Sequence, residues 1–131
     1  MKVDGACHCG AIRFEAEVDP RTVVICHCSD CQTISGAPYR VNVRARTSQV
    51  HLSGEPRIYE KVGGSGHAVT TAFCGVCGSA LYSASARSPE FMVLRLGVIR
   101  QRAGLAPVMQ GFCEFALPWA TDISAVRIVG R

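Results

Sequence analysis

The sequence has no long hydrophobic run, since none of its stretches approaches the roughly 18 apolar residues that cross a bilayer as a helix. No membrane span is expected. The residues after Met1-Lys2-Val3-Asp4-Gly5 also lack the apolar core and small-residue cleavage site of a secretory leader, so the expected localisation is cytoplasmic. No segment keeps a 3.6-residue apolar period long enough for a packed helix, which argues against a helical bundle. Charge is scarce too: charged residues make up 18% against 48% hydrophobic, a balance that excludes disorder. There is no internal repeat, linker or low-complexity tract, and 131 residues fit one folding unit, so residues 1–131 are expected to form a single domain.

The chain is instead rich in short alternating segments. Ile12, Phe14, Ala16 and Val18 alternate with Arg13, Glu15 and Glu17, the period-2 pattern of a half-buried strand, and Asp19-Pro20 ends it. Val23 to Ile25 forms a short apolar run into Cys26. Tyr39, Val41, Val43 and Ala45 alternate with Arg40, Asn42, Arg44 and Arg46. Further strands are expected at Gln49 to Leu52, Arg57 to Lys61, Ala68 to Phe73, Ala80 to Ser83, Phe91 to Gly97 and Ala125 to Val129. Turn chemistry separates them at Ser53-Gly54-Glu55-Pro56, at Gly63-Gly64-Ser65-Gly66 and at Ser88-Pro89. Only Ser29 to Ser35 suits a helical turn. The expected fold class is therefore all-β and antiparallel, with little or no helix.

Eight cysteines stand out in a chain this short. Disulfides are kept reduced in the cytoplasm, so metal ligation is the commonest reason for such a count. Cys7-His8-Cys9-Gly10 and Cys74-Gly75-Val76-Cys77-Gly78 form a C-x-C and a C-x-x-C knuckle, and four thiolates suit tetrahedral Zn²⁺. Such a closed set has no position for substrate, which makes it structural: it would clamp the start of the chain to a distant segment. A redox dithiol at Cys74 and Cys77 would be expected beside a βαβ pattern, and none is present.

The second cluster, Cys26-His27-Cys28-Ser29-Asp30-Cys31, packs three cysteines into six residues. Three protein ligands and an open fourth position are the arrangement of catalytic zinc, where water or a substrate thiol completes the tetrahedron. Two other readings stay open at this point: Cys113 or a histidine closes the site and makes it structural, or the three cysteines are simply small buried residues. Cys113, between Phe112 and Phe115, reads as an inert buried cysteine. His27 and His8, each flanked by ligands, are expected to point away from the ions. His67 reads as an exposed loop residue, His51 as structural, and Arg40, Arg44 and Arg46 as a solvated strand face.

The formal charge of +4 counts every cysteine as a neutral thiol. Seven thiolates and two zinc ions would bring it to about +1, which removes most of the argument for a nucleic-acid partner.

With both clusters in view, the chain resembles the glutathione-dependent formaldehyde-activating enzyme family, also known as the centromere protein V type, through Gly5-Ala6-Cys7-His8-Cys9-Gly10, Cys26-His27-Cys28-Ser29-Asp30-Cys31 and Phe73-Cys74-Gly75-Val76-Cys77-Gly78-Ser79. The resemblance spans nearly the whole chain. It implies an Mss4-like fold of bent antiparallel sheets, a structural zinc on Cys7, Cys9, Cys74 and Cys77, and a catalytic zinc on Cys26, Cys28 and Cys31. It further implies that glutathione adds to formaldehyde to give S-hydroxymethylglutathione, a carbon–sulfur lyase reaction run in the synthetic direction. Gln32 and Gln110 stand where family members often carry a basic residue and a histidine. The leading expectation is thus a zinc-dependent carbon–sulfur lyase acting on a small thiol and an aldehyde. The competing one is a non-catalytic zinc-binding interaction module, and a homo-oligomer remains open in either.

Overall fold

The computed structural model describes residues 1–63 and 66–131, so the glycine-rich turn read from the sequence lies outside the described residues at Gly64 and Ser65. The chain runs β1 (Lys2–Ala6), β2 (Arg13–Val18), β3 (Val24–Cys26), α1 (Ser29–Ser35), β4 (Arg40–Ser53), β5 (Arg57–Val62), β6 (Ala68–Phe73), β7 (Ala80–Ser85), β8 (Phe91–Arg95) and β9 (Met109–Gly111). Among the described residues the only α-helix is the seven-residue α1.

The strands join in the order β1-β2-β4-β8-β7-β6-β5, every neighbouring pair antiparallel. The long β4 is the axis of this sheet. One of its edges pairs first with β3, from Arg40 to Asn42, and then with β2, from Ala45 to Ser53, while β8 runs along the other edge. Among the described residues the single parallel pairing is between β3 and the three-residue β9, which brings the late chain segment beside Cys26. The architecture is the all-β, mainly antiparallel one expected, with one short helix.

The alternation read in β2 is obeyed: Phe14, Ala16 and Val18 are buried while Arg13 and Glu15 are exposed. They pack with Val3, Val23, Val43, Ala45, Leu94, Ile99 and Leu105 into one core, and a smaller cluster holds Ile12 and Leu81 with Cys7 and Cys74. The second cluster ties apolar packing directly to one of the cysteine sets. Gly5 lets β1 lie close against the turn after β8, since a Cβ there would sit 2.0 Å from the Val98 carbonyl oxygen and 2.4 Å from the Phe14 ring.

Three expectations are corrected, and two strands were not read from the sequence. The segments read as separate strands at Tyr39 to Arg46 and Gln49 to Leu52 are one 14-residue strand, because β2 pairs on both sides of the polar Thr47-Ser48, at Ala45 and from Val50 to Ser53, across a bulge, and Thr47 N–H donates to the Glu90 carbonyl on the other edge. The strand from Phe91 stops at Arg95 and passes into a 3-10 turn at Leu96–Val98. Ala125 to Val129 forms no strand: it pairs with nothing, and its valines are exposed. β1 and β9 carry no clear period-2 signal and owe their extended form to their partners, β2 and β3.

Candidate functional site

Cys7 follows β1 and Cys74 follows β6, so the sheet itself carries the C-x-C and C-x-x-C knuckles to one place. The sulfurs of Cys7, Cys9, Cys74 and Cys77 all lie within 4.8 Å of one another. Cys7 and Cys9 Sγ are 3.6 Å apart, and Cys9 and Cys74 Sγ are 3.8 Å apart. Four sulfurs held at about 2.3 Å from a tetrahedral ion stand about 3.8 Å from each other, so the spacing fits such an ion. Main-chain donors turn toward the sulfurs: Ile12 N–H donates to Cys7 Sγ at 3.2 Å and Val76 N–H to Cys74 Sγ at 3.4 Å. Donors of this kind favour thiolate over thiol.

Charge makes the same case. Contacts from the Ser79 hydroxyl and backbone hold the Cys77 thiol down at about 5. A backbone contact from Ala11 favours the Cys9 thiolate, but burial and the three neighbouring thiols outweigh it and push Cys9 up to about 11. Without a cation, thiolates this close repel and some stay protonated. The donor set is suited to a divalent soft-to-borderline cation such as zinc.

The second cluster is built at the start of α1. β3 delivers Cys26, Cys28 takes the N-cap position, and one helical turn returns Cys31 to within 3.3 Å of Cys26, sulfur to sulfur. Cys31 N–H donates to Cys28 Sγ at 3.2 Å. All three sulfurs lie within 4.8 Å of one another, and among the described residues no fourth cysteine, histidine or carboxylate joins them. Burial and the other two thiols push Cys31 up to about 12. Burial also opposes ionisation of Cys28, but hydrogen bonds from Cys31 and Cys26 and the charge of Lys61 leave it below its ordinary value. Three crowded sulfurs with one place left over suit a metal with an open position.

The strand register then sets what faces this cluster. Directly opposed residues in antiparallel strands share a face, as do residues two apart on one strand. Cys26 opposes Arg40, Arg40 lies two residues from Asn42, and Asn42 opposes Arg95. Arg40 and Arg95 therefore project on the same side as Cys26, and both are buried, at 9% and 4% exposure. Arg95 Nη1 donates to Asn42 Oδ1 at 2.8 Å, and Nη2 donates to Ser83 Oγ. Burial and the charge of Arg40 push Arg95 down to about 9, and the cysteines Cys31, Cys26 and Cys28 oppose that shift, so it stays cationic at neutral pH.

This corrects the expectation of a solvated arginine face. Only Arg44 and Arg46 are exposed, with their guanidinium carbons 4.2 and 5.5 Å from the centre of the Phe91 ring. Arg95 went unread because it sits in an apolar run, Phe91-Met92-Val93-Leu94-Arg95-Leu96. A single charge within such a run was the available signal.

A cavity of about 560 Å³ opens onto Arg40 and Arg95. Its lining includes Ile34 and Ser35 of the helix that carries Cys31 and Gly78 to Ala80 just after Cys77, residues close in sequence to both cysteine sets, though no cysteine is itself in the wall. A slightly larger cavity, about 580 Å³, spans β1, β2 and β4 with Asp4, Glu15 and Glu17 in its wall, and touches neither set.

The remaining expected site residues fall into place individually. His27 is buried outside the cluster, its Nε2 2.8 Å from Gln110 Oε1 and its ring edge-on to Tyr39. His8, His51 and His67 are exposed, and neither His8 nor His27 joins a cysteine set. Cys113, expected to be buried, is exposed in a 3-10 turn and belongs to neither cluster, because the short turn after β9 faces outward. Gln32 donates from Nε2 to the carbonyls of His27, at 2.9 Å, and Phe115, at 3.1 Å. Its amide is thus committed to holding that turn against α1.

Comparison with known proteins decides the relationship. Residues 2–115 match the family pattern described as glutathione-dependent formaldehyde-activating enzyme. The chain belongs to this family. A Halomonas elongata protein, assigned by name to glutathione-dependent formaldehyde activation, is 36% identical over 98 residues, which cover 70% of this chain and 62% of the relative. The matched part thus falls short of two thirds of that relative's length. A Rhodobacter sphaeroides protein of known crystal structure superposes with a TM-score of 0.64 at 22% identity, covering 82% of this chain and 98% of that one, which supports the fold. The family pattern includes both cysteine sets and the arginines Arg40 and Arg95 within its span.

Proposed function

We propose that this chain is a zinc-dependent enzyme of the carbon–sulfur lyase type that joins or separates a small thiol, glutathione or a relative, and an aldehyde such as formaldehyde. The observation that carries the reading is the three-sulfur cluster with no fourth protein ligand among the described residues, placed beside a cavity with two buried arginines. Cys26, Cys28 and Cys31 would hold the catalytic zinc, and Cys7, Cys9, Cys74 and Cys77 the structural one, giving two ions per chain.

The zinc, when bound, would supply a Lewis-acid position at which a thiol is held as thiolate. The chain's own residues do the rest. The three cysteines fix where the reacting sulfur sits, and α1 holds their spacing. Arg40 and Arg95 provide fixed positive charge on the same face, in an open cavity whose lining includes the apolar Ile34, Val41 and Val98. In the synthetic direction the thiol sulfur forms a bond to the aldehyde carbon, the carbonyl π bond breaks, and the thiol proton ends on the aldehyde oxygen. The reverse reaction returns both partners without any oxidant.

The family match over residues 2–115 supports reading residues 1–131 as one catalytic domain. Among the described residues no helix is long and apolar enough to cross a membrane, and reduced metal-binding cysteines suit the cytoplasm.

The exchange between formaldehyde, glutathione and their adduct can be followed by NMR line-broadening. The zinc-loaded protein should accelerate it, and Cys31→Ser should not. Absence of acceleration by the wild-type protein would sink the enzymatic reading. A non-catalytic interaction module is the second reading, favoured by the exposed Phe112, Phe115 and Trp119 in the segment that Gln32 holds to α1. It predicts zinc at the three-cysteine set with no change in metal coordination on adding thiol.

A further inference from the structure

Buried arginines in a folded chain are ordinarily matched by a carboxylate, since an isolated buried charge is costly. Arg40 and Arg95 break this expectation. Each is more than nine-tenths buried, and none of the ion pairs among the described residues involves either. Arg40 Nε and Nη1 and Arg95 Nε are buried with no hydrogen-bond partner. Both side chains line the 560 Å³ cavity, whose wall contains no aspartate or glutamate, and a third arginine, Arg102, stands exposed at its edge. A zinc ion on three thiolates carries a net charge of about −1, which offsets one of the two buried cations and leaves the other unbalanced.

The rest of the cavity wall is apolar or small, with Ile34, Val41, Leu96 and Val98 giving a ligand body something to lie against. Guanidinium forks match the planar geometry of a carboxylate and bind it through two parallel hydrogen bonds. We infer that the Arg40–Arg95 cavity is the recognition site for a carboxylate of the ligand, and that the acceptor thiol is selected as an anionic, carboxylate-bearing molecule. The inference rests on the proposed thiol–aldehyde chemistry for the sulfur end of the ligand alone. The carboxylate end stands on Arg40, whose Nε and Nη1 have no partner, with Arg95 beside it, whose Nη atoms donate to the neutral Asn42 and Ser83 and whose charge no carboxylate matches.

The test uses S-methylglutathione, in which the sulfur is blocked and the carboxylates are free, and its diethyl ester, in which the carboxylates are masked. Titrated into the isotope-labelled, zinc-loaded protein, the acid should shift the amide resonances of Val41, Leu96 and Gly97 to saturation. The ester should bind about tenfold or more weakly. Arg40→Gln should weaken the acid by a similar factor and leave the ester unaffected, as a double-mutant cycle requires of a direct partner. Arg102→Gln, at the exposed edge, should weaken the acid by a smaller factor without disturbing the fold.

Equal binding of acid and ester by the wild-type protein overturns the inference without any variant. So does inorganic phosphate shifting the same resonances while S-methylglutathione does not. The sulfur end is read separately with glutathione itself, thiol free, on protein carrying cobalt at the three-cysteine set. If saturating glutathione leaves the cobalt–thiolate absorption unchanged, the thiol–aldehyde reading fails, and the acid–ester comparison with the sulfur blocked still decides the carboxylate site.

Discussion

Gly5 is the point where β1 meets the turn that follows β8. Any side chain there must displace the Val98 carbonyl or the Phe14 ring, and neither is the free end of a flexible group. Gly5→Ala should therefore destabilise the fold by about 1–3 kcal/mol, the range for overpacking a filled site, measured by denaturant unfolding. Because Leu96 to Val98 also form the cavity wall, the same variant should weaken ligand binding. Ser79 acts through other atoms: its hydroxyl accepts from His8 N–H at 3.0 Å and lies 3.2 Å from Cys77 Sγ. Ser79→Ala should lower zinc affinity at the four-cysteine set by roughly tenfold, the usual cost of losing a partner behind a metal ligand. Competition with a chelator checks this, and an unchanged affinity would remove Ser79 from the metal site. At this scale the cysteines were legible in the sequence because metal ligands cluster at short spacings. Arg40 and Arg95 were not, since their burial comes from pairing β4 with both β3 and β8, which no local pattern records.

Among the elements, α1 depends most on its surroundings. Seven residues make fewer than two turns, too short to be stable in water on their own. Its start is capped by Cys28, its end by Gly36 in the left-handed conformation at φ 66°, and Asp30 is tied to Lys61 of β5 at 2.5 Å. That ion pair is largely exposed on the Asp30 side and contributes little by itself. The three cysteines converging on an ion would be the main constraint. Chelation should consequently accelerate amide hydrogen exchange across Ser29–Ser35 well before it affects β4 or β8, as read by mass spectrometry. Equal protection with and without metal would show that the helix does not need the ion. The helix was legible as Ser29 to Ser35 because cysteine spacing and the following glycine mark both its ends. Strand assignments fared according to whether alternation or partnership governed them. Ala68–Phe73 carried its own signal, whereas β9 exists only beside β3, and Ala125 to Val129 had the composition of a strand without a neighbour to pair with.

For the whole molecule the two cysteine sets have different consequences. The four-cysteine set joins Cys9 to Cys74 across 65 positions, and its neighbours Ile12 and Leu81 form a core cluster with Cys7 and Cys74. Zinc there would fasten β1 to the end of β6, strands that lie far apart in the sheet order. A structural zinc is worth on the order of 10 kcal/mol in small modules, comparable to the whole stability of a domain. The three-cysteine set is local, closed within six residues, so its ion orders α1 and the cavity edge without bridging distant strands. Cys74→Ser should then lose cooperative unfolding or express as an unfolded chain. Cys31→Ser should keep cooperative unfolding, fall from about two zinc ions per chain to about one, and lose the thiol–aldehyde exchange. Calorimetry with metal analysis on both variants separates the roles. If Cys31→Ser unfolds as readily as Cys74→Ser, the second ion is structural, and the open position inferred for it would have to be filled by the protein itself.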